Sequence, residues 1–296
     1  MHMSKDVALV TYAELPDLVP GDRNLIEPLA ALGLRAVAVR WDDAAVDWTQ
    51  FAAVVIRSCW DYHERPAEFR QWVERLAAQG VRLYNTPQTV FWNMEKSYLR
   101  GLAENGVKVI PSAWAQQGEA ADLTALLDAQ GWDKVVLKPT IGAGASGIRI
   151  VERAQAAEHQ AGFEALLTKS NVIIQPVLEA VREGEISLIF FDHEFSHAVR
   201  KVPDTGSIFV NMEYGGKNAL FEASEALIAT GKAILETART LHNDESYLFA
   251  RVDGVIVDGE YLLMELELLE PELFLGIAPE ASAQRLAQAI AKRALA

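Results

Sequence analysis

The sequence holds one cysteine, Cys59, in 296 residues. That excludes a disulfide framework and any Cys-based zinc site, and it suits a reducing cytoplasm. No apolar run approaches the ~18 residues of a membrane helix. The opening residues MHMSKD lack the apolar stretch of a signal peptide. Positive charge is scarce: 27 Lys and Arg stand against 41 Asp and Glu, a net of −14. Such a surface repels nucleic acid and anionic membranes. It does not exclude an anionic small ligand, because local cations can dominate one cleft. There is no internal repeat and no low-complexity tract. Apolar residues, in contrast, make up 50% of the chain, which is enough for two or three cores. The expectation is a cytoplasmic enzyme of two or three domains, with a homo-oligomer permitted.

Hydrophobic pattern gives an α/β chain. VALVTY (7–12), LRAVAVR (34–40) and FAAVVIR (51–57) read as buried strands. Between the first two, Asp22 caps a segment with Leu25, Ile26, Leu29 and Leu32 at helical spacing, stopped by Gly33. Pro66 opens a helix with Phe69, Trp72, Val73 and Leu76 inward, ended by Gly80. Residues 1–88 therefore read as an open α/β sheet. A helix over 95–105, a strand VKVIP (107–111), a helix over 119–130, a helix near 154–168 and a strand NVIIQPV (171–177) follow. From 186 the texture changes to a hairpin turning at Asp192-His193-Glu194. Then come a Gly- and Asn-rich loop (203–218), a helix over about 224–241, a hairpin around Asp258-Gly259 and a helix over 281–295.

Residues 135–151, VVLKPTIGAGASGIRIV, contain a literal G-x-G-x-x-G from Gly142 to Gly147, with Gly144, Ala145 and Ser146 between. A dinucleotide-binding turn needs a helix after the last glycine. Here IRIV follows, a short β-branched run that reads as a strand. No Gly-Lys-Ser/Thr follows either, so a Walker A loop is excluded. What survives is a glycine-rich hairpin whose N–H groups can close over phosphates, with Lys138 just before it. A mobile surface hairpin with a solvated lysine is the competing reading. Lys96, at the start of the 95–105 helix, opposes the helix dipole, a local conflict of the kind that marks functional positions; a solvent-facing lysine is its alternative.

In EYLLMELELLE, period two puts Glu265 and Glu267 on one strand face. Asp253 lies on the partner strand. A three-residue loop (258–260) sets it directly across from Glu265, whereas a two-residue turn sends it to the other face. Three clustered carboxylates repel unless a cation joins them, and hard oxygen ligands without His or Cys suit Mg²⁺, with Mn²⁺ as a substitute. A solvated acidic face is the alternative. His193-Glu194-Phe195-Ser196-His197 matches H-E-x-x-H, but the zinc motif needs a helix; along a strand the two histidines stand about 13 Å apart. Cys59 with His63 lacks the third partner of a thiol nucleophile.

Lys96 before a helix, Lys138 before a glycine-rich hairpin, Gln175-Pro176-Val177 ending a strand and Asp253…Glu265-Leu266-Glu267 occur in this order. That order resembles the ATP-grasp superfamily, of the glutathione synthetase and D-alanine–D-alanine ligase kind, along nearly the whole chain. The resemblance implies a Rossmann-like pre-ATP-grasp α/β domain (1–110), a small lid (111–177) and a C-terminal ATP-grasp domain (178–296). It implies that Lys96 and Lys138 hold ATP phosphates under the 142–147 loop. Backbone from Gln175 through Pro176 and Val177 to Leu178 reads adenine, and Glu185 binds ribose, with Glu179 and Glu183 as rivals. Asp253, Glu265 and Glu267 match the Mg²⁺ ligands; the family often has Asn at the third position, so Glu267 brings an extra charge.

Arg57-Ser58-Cys59-Trp60-Asp61-Tyr62-His63, Trp92-Asn93…Lys96-Ser97-Tyr98-Leu99 and Glu267…Glu270-Pro271 further resemble the branch containing the cyclo-ligase of cycloserine biosynthesis, which closes O-ureido-D-serine into D-cycloserine. The implied chemistry is ATP-dependent phosphorylation of a carboxylate, then attack on the acyl phosphate by an amine-type nitrogen of an amino-acid-like substrate. Arg200, closing FSHAVR, is the candidate cation for the carboxylate, with a surface salt bridge as its alternative. Arg57 and Ser58 lie at the carboxyl end of a strand, where open α/β sheets bind ligands; Trp60 and Tyr62 either join them or pack on the next helix. Asn211, Gly215 and Gly216 lie in a loop placed to cover substrate. Intermolecular ligation and simple phosphoryl transfer remain alternatives, as does a nucleotide sensor without turnover.

Overall fold

The computed structural model describes residues 5–144, 147–205, 210, 215–244 and 247–296. Ala145, Ser146 and Asn211, singled out above, lie outside them. Three sheets organise the described chain.

The first is parallel. Strands β1 (Asp6–Thr11), β2 (Arg35–Arg40), β3 (Ala53–Ile56) and β4 (Leu83–Tyr84) lie in the order β2-β1-β3-β4. β3 is apolar and buried throughout because both sheet faces are covered. One face is filled by α2 (Pro66–Ala78), through Phe69, Trp72, Val73 and Leu76. The other takes Leu29 of α1 (Ile26–Ala31) together with Leu286 and Ile290 of α8 (Glu280–Ala294).

α3 (Pro87–Asn93) and α4 (Tyr98–Glu104) follow. The sequence reading merged the run-up to Lys96 into one helix over 95–105; in fact Lys96 sits in the turn before α4. The expected strand 107–111 is reduced to a single bridge, Val109 to Leu263. β5 (Ala113–Ala115), β6 (Lys134–Pro139), β7 (Arg149–Glu152) and β8 (Val172–Pro176) form the second sheet, antiparallel, in the order β5-β8-β6-β7. Helices α5 (Leu123–Gln130) and α6 (Ala156–Leu167) cover one face, against Val135, Leu137, Val172 and Ile174. Strand alternation turns Val136 and Lys138 to the opposite, open face.

The third sheet is built from β9 (Glu185–Phe191), β10 (Glu194–Val202), β11 (Lys217–Phe221), β12 (Phe249–Val257) and β13 (Glu260–Glu267), in the order β11-β10-β9-β12-β13. β11 was not expected from its Gly- and Asn-rich surroundings. α7 (Glu225–His242) packs Ile234, Leu235 and Ala238 on one face, against Leu188, Phe190, Ala250 and Val252. The other face merges through Ile189, Phe191, Val199 and Phe249 with α8 and the first sheet.

Both hairpins of this sheet turn through two residues with positive φ, Asp192-His193 (48° and 68°) and Asp258-Gly259 (51° and 81°). Of the two loop lengths weighed, the two-residue turn is present and the three-residue loop at 258–260 is not. A two-residue turn alone would pair Asp253 with Met264, yet the register slips between Gly254↔Leu263 and Asp253↔Glu265. A β-bulge at Met264 thus restores the cross-strand pair. A second slip, between Phe195↔Phe190 and His197↔Ile189, does the same in β10. His193 and His197 occupy the turn and a strand, so H-E-x-x-H is not on a helix.

The bulge in β13 needs Gly254. A Cβ there would lie 2.4 Å from the Leu262 carbonyl oxygen and 2.6 Å from the Tyr261 ring. Gly254→Ala should therefore cost about 2 kcal/mol or more; urea unfolding measures it, and an unchanged midpoint would mean the strands have room to part. A second outcome concerns His197. Burial pushes its pKa down to about 4, against the pull of its bond to the Leu273 carbonyl at 2.9 Å. The unfolded chain then takes up this proton first, so its contribution is intact above the ordinary value near 6.5 and is lost as pH falls toward 4. About 2–3 kcal/mol is at stake. Urea midpoints of wild type and His197→Gln near neutrality and near about pH 5 should show the variant losing less.

Candidate active site

The open face of the second sheet and the β9–β10–β12–β13 face of the third enclose a cavity of about 1400 Å³. Its floor extends to the carboxyl ends of the first sheet, so Tyr12 and Trp60 also line it.

The lid side carries the glycine loop. β6 and β7 pair from Lys134↔Glu152 to Leu137↔Arg149, so the two strands form a hairpin, as the glycines and flanking β-branched residues imply. Lys138, Gly142 and Gly144 line the cavity. Gly147 (φ 73°) instead packs on Pro139, whose Cγ would lie 2.8 Å from a Cβ. Lys96 reaches the loop from the other side. Its backbone N–H donates to the Thr140 carbonyl at 2.8 Å and its Nζ to the Gly142 carbonyl at 2.7 Å. Nζ also pairs with Glu265 at 2.9 Å. Burial opposes charge on Lys96, but Glu265, together with Glu267 and Glu270, outweighs it and the pKa is raised. Lys138 has no hydrogen-bond or ion-pair partner among the described residues. Burial lowers its pKa; Glu265 counters this and Lys96 adds to it. Two neighbouring ammonium groups, one unneutralised, make a site that favours an anion.

Gln175, Pro176, Val177 and Leu178 line the cavity where β8 ends. The Gln175 amide donates to Ser112 Oγ at 3.0 Å. Among the three acids weighed for ribose, Glu185 lines the cavity and Glu179 and Glu183 do not.

The base side is a lattice of charges on one sheet face. Asp253 accepts from Ser187 Oγ at 2.6 Å and pairs with Arg251 at 2.9 Å and Lys201 at 3.7 Å. Arg251 also binds Glu267, and Lys201 binds Glu185. Burial would raise the Asp253 pKa, but Arg251 and Lys201 hold it below the usual carboxylate value. Among the described residues no three carboxylates converge as a ready metal cage. Asp253, Glu265 and Glu267 nevertheless share the face, and all three line the cavity. Hard oxygen donors of this kind fit Mg²⁺, which takes one or two carboxylates together with substrate phosphates rather than an all-protein cage.

Several sequence expectations are corrected. Arg200 points to the opposite face, its guanidinium 4.5 Å over the Phe221 ring; Lys201, one residue on, faces the cleft. A two-residue turn without a bulge pairs Arg200 with Glu185, and the slip in β10 gives that partner to Lys201. Arg57 and Ser58 do reach the carboxyl end of β3, but both are buried outside the cavity lining. Arg57 pairs with Asp22 at 3.2 Å, donates to the Pro271 carbonyl at 2.8 Å and stacks over Phe249. Ser58 bonds Thr11. Gly216 lines the cavity, whereas Gly215 packs against Asp204. Cys59 is buried, and burial pushes its thiol well up, so it is no nucleophile. Arg251 and Lys201 were missed, strand parity with Asp253 being the signal for the first, and Glu270 was noted only as part of the branch resemblance, with no role.

A cleft between two antiparallel sheets, paired cleft lysines beside a glycine hairpin and a carboxylate-bearing strand opposite point to the class: the chain belongs to the ATP-grasp ligases, ATP-dependent carbon–nitrogen ligases that use a divalent metal ion. Residues 107–278 match the family model for the prokaryotic glutathione synthetase ATP-grasp domain, and residues 7–85 that for the N-terminal domain of D-cycloserine synthetase DcsG. Over 97% of this chain and 98% of the relative, it is 36% identical to the cycloserine biosynthesis protein DcsG of Streptomyces lavendulae. The crystal structure of D-cycloserine synthetase DcsG superposes with a TM-score of 0.87 at 33% identity, covering 98% of this chain and 99% of that one. A D-alanine–D-alanine ligase from Bacillus anthracis, solved with ATP, shares the fold at a TM-score of 0.68 and 16% identity, covering 98% and 97%. Among the described residues no helix is long and apolar enough to cross a membrane.

The buried Arg57–Asp22 pair generates a test. Arg57→Met strands a carboxylate that burial already pushes toward protonation and should cost about 3–5 kcal/mol, read by denaturant unfolding. Unchanged stability with a raised substrate KM would return Arg57 to substrate binding.

Proposed function

We propose that this ligase is an ATP- and Mg²⁺-dependent cyclo-ligase that turns O-ureido-D-serine into D-cycloserine. The observation that carries this reading is the full-length likeness to the cycloserine enzyme, which includes the N-terminal part of the cleft as well as the ATP-grasp part. ATP phosphorylates the substrate carboxylate. The ureido nitrogen of the same molecule then attacks the acyl phosphate, phosphate leaves, and the carbamoyl part departs as carbon dioxide and ammonia after taking up water. Holding both ends of one substrate close supplies the rate.

Lys96 and Lys138 hold the transferring phosphates, with Lys201 as a third cation in the place first given to Arg200. Gln175 to Leu178 read adenine, and Glu185 serves ribose. Asp253, Glu265 and Glu267 hold Mg²⁺, which neutralises phosphate charge when bound; Mn²⁺ meets the same hard donors. Residues 1–110 form the substrate side, 111–177 the lid and 178–296 the base.

ADP release measured with O-ureido-D-serine and an amino-acid panel tests the reading. D-cycloserine and free phosphate are the expected products. A phosphorylated product would identify a kinase, and dependence on a second amine an intermolecular ligase. Lys138→Ala and Glu265→Gln should each lower kcat/KM for ATP roughly 100-fold or more, the usual cost of losing one preorganised charge at a transferring group, while far-UV CD is unchanged. Near-normal turnover in both would overturn the site assignment.

A further inference from the structure

Nearly every buried acid of the cleft has a partner of opposite charge. Glu265 pairs with Lys96, Asp253 and Glu267 with Arg251, and Glu185 with Lys201. Glu270 is the exception. It is 7% exposed and lines the cavity, yet its carboxyl group has no hydrogen-bond or ion-pair partner among the described residues. Its carboxylate opens onto the cavity instead of being sealed in protein, so a partner of opposite charge arriving through the cleft can reach it.

The backbone around Glu270 is fixed with unusual care. The Asn85 amide donates to the Leu268 carbonyl at 2.7 Å, and Trp60 Nε1 to the Glu270 carbonyl at 3.1 Å. Arg57 donates to the Pro271 carbonyl at 2.8 Å and Arg251 to the Glu272 carbonyl at 2.9 Å. Donors from the first and third sheets thus clamp four carbonyls around one free side chain, the preorganisation expected of a recognition group. This segment crosses the junction of the two sheets, with Trp60 beside it in the same cavity.

We propose that Glu270 is the substrate-specificity residue that receives the α-ammonium group of an amino-acid substrate, in the compartment it shares with Trp60. The inference rests on the ligase reading for its substrate class. The charge layout fits it: Lys96, close enough to act on Glu270 electrostatically, answers the substrate carboxylate or its phosphorylated form, and Glu270 answers the amine on the neighbouring carbon. Burial and then Glu265 push Glu270 up to about 7, against the pull of Lys96; a bound ammonium opposes that push by adding a counter-charge.

Steady-state kinetics of wild type, Glu270→Gln and Glu270→Asp test this, with O-ureido-D-serine and its analogue lacking the α-amine, 3-(ureidooxy)propanoate. Loss of a charge-assisted hydrogen bond should raise the substrate KM of Glu270→Gln roughly 10- to 100-fold. The ATP KM should stay within about twofold, and the two proteins should handle the des-amino analogue alike. Thermal unfolding of Glu270→Gln should be at or above the wild-type midpoint, because a buried unpaired acid has been removed. An equal penalty with the analogue, a matching rise in ATP KM, or no change in substrate KM would each overturn the inference. Failure of the cyclo-ligase reading looks different: the wild type itself would not release ADP on O-ureido-D-serine, and the same comparison would then run on the amino acid that does support release and its des-amino counterpart.

Discussion

The active cleft depends on a one-residue slip in strand pairing. Side chains alternate with period two, so a register error of one residue moves a whole strand's set of groups to the other face. Both hairpins of the third sheet would make that error if their tight turns alone set the pairing. The bulge at Met264 brings Glu265 across from Asp253, and the slip near Ser196 brings Lys201 across from Glu185. Gly254, with its neighbour's carbonyl where a Cβ would sit, permits the first of these. Chemistry that needs a cluster of charges is therefore stored in backbone irregularity.

Once the charges share a face, they must be kept there without the ligand. Four carboxylates and three cations on one buried surface are individually costly to desolvate. Their mutual pairing makes the set tolerable, and Arg251 is its hub, reaching Asp253, Glu267 and the Glu272 carbonyl. The negative charge at Glu267, where the wider family often has a neutral amide, is matched inside the chain by this guanidinium. Lys138 stands outside the pairing, and Glu270 does so with the opposite sign. In the readings proposed above, these two unanswered charges are the groups that meet phosphate and the substrate amine.

The architecture was largely legible because it is written in period. β-branched runs gave the buried parallel strands, the spacing of Phe69, Trp72, Val73 and Leu76 gave α2, and IRIV after Gly147 separated a phosphate hairpin from a dinucleotide turn. What was hidden was local. β5, three residues long, and β11, next to glycines, carry little pattern of their own and exist because a neighbouring edge pairs them. Residues 107–111 look like a strand but make only one bridge. Among the groups that line the cleft, the lysines and acids were picked out by type and order. Lys201 escaped notice beside Arg200 because no sequence signal announces a bulge at Ser196. Arg57 drew attention by its place at a strand end, although Asp22 and Pro271 had already claimed its donors.

The first sheet has one more dependency. One of its faces is closed by α8, which is synthesised after every strand of all three sheets. Until residues 280–294 are in place, Val7, Leu9 and Val55 have only part of their cover, from groups such as Leu25 and Leu29. The connection that delivers α8 carries Glu270 and Pro271 across the junction on the way. Closing the first sheet and carrying Glu270 to the cleft are thus the work of one continuous stretch of chain, residues 270–294.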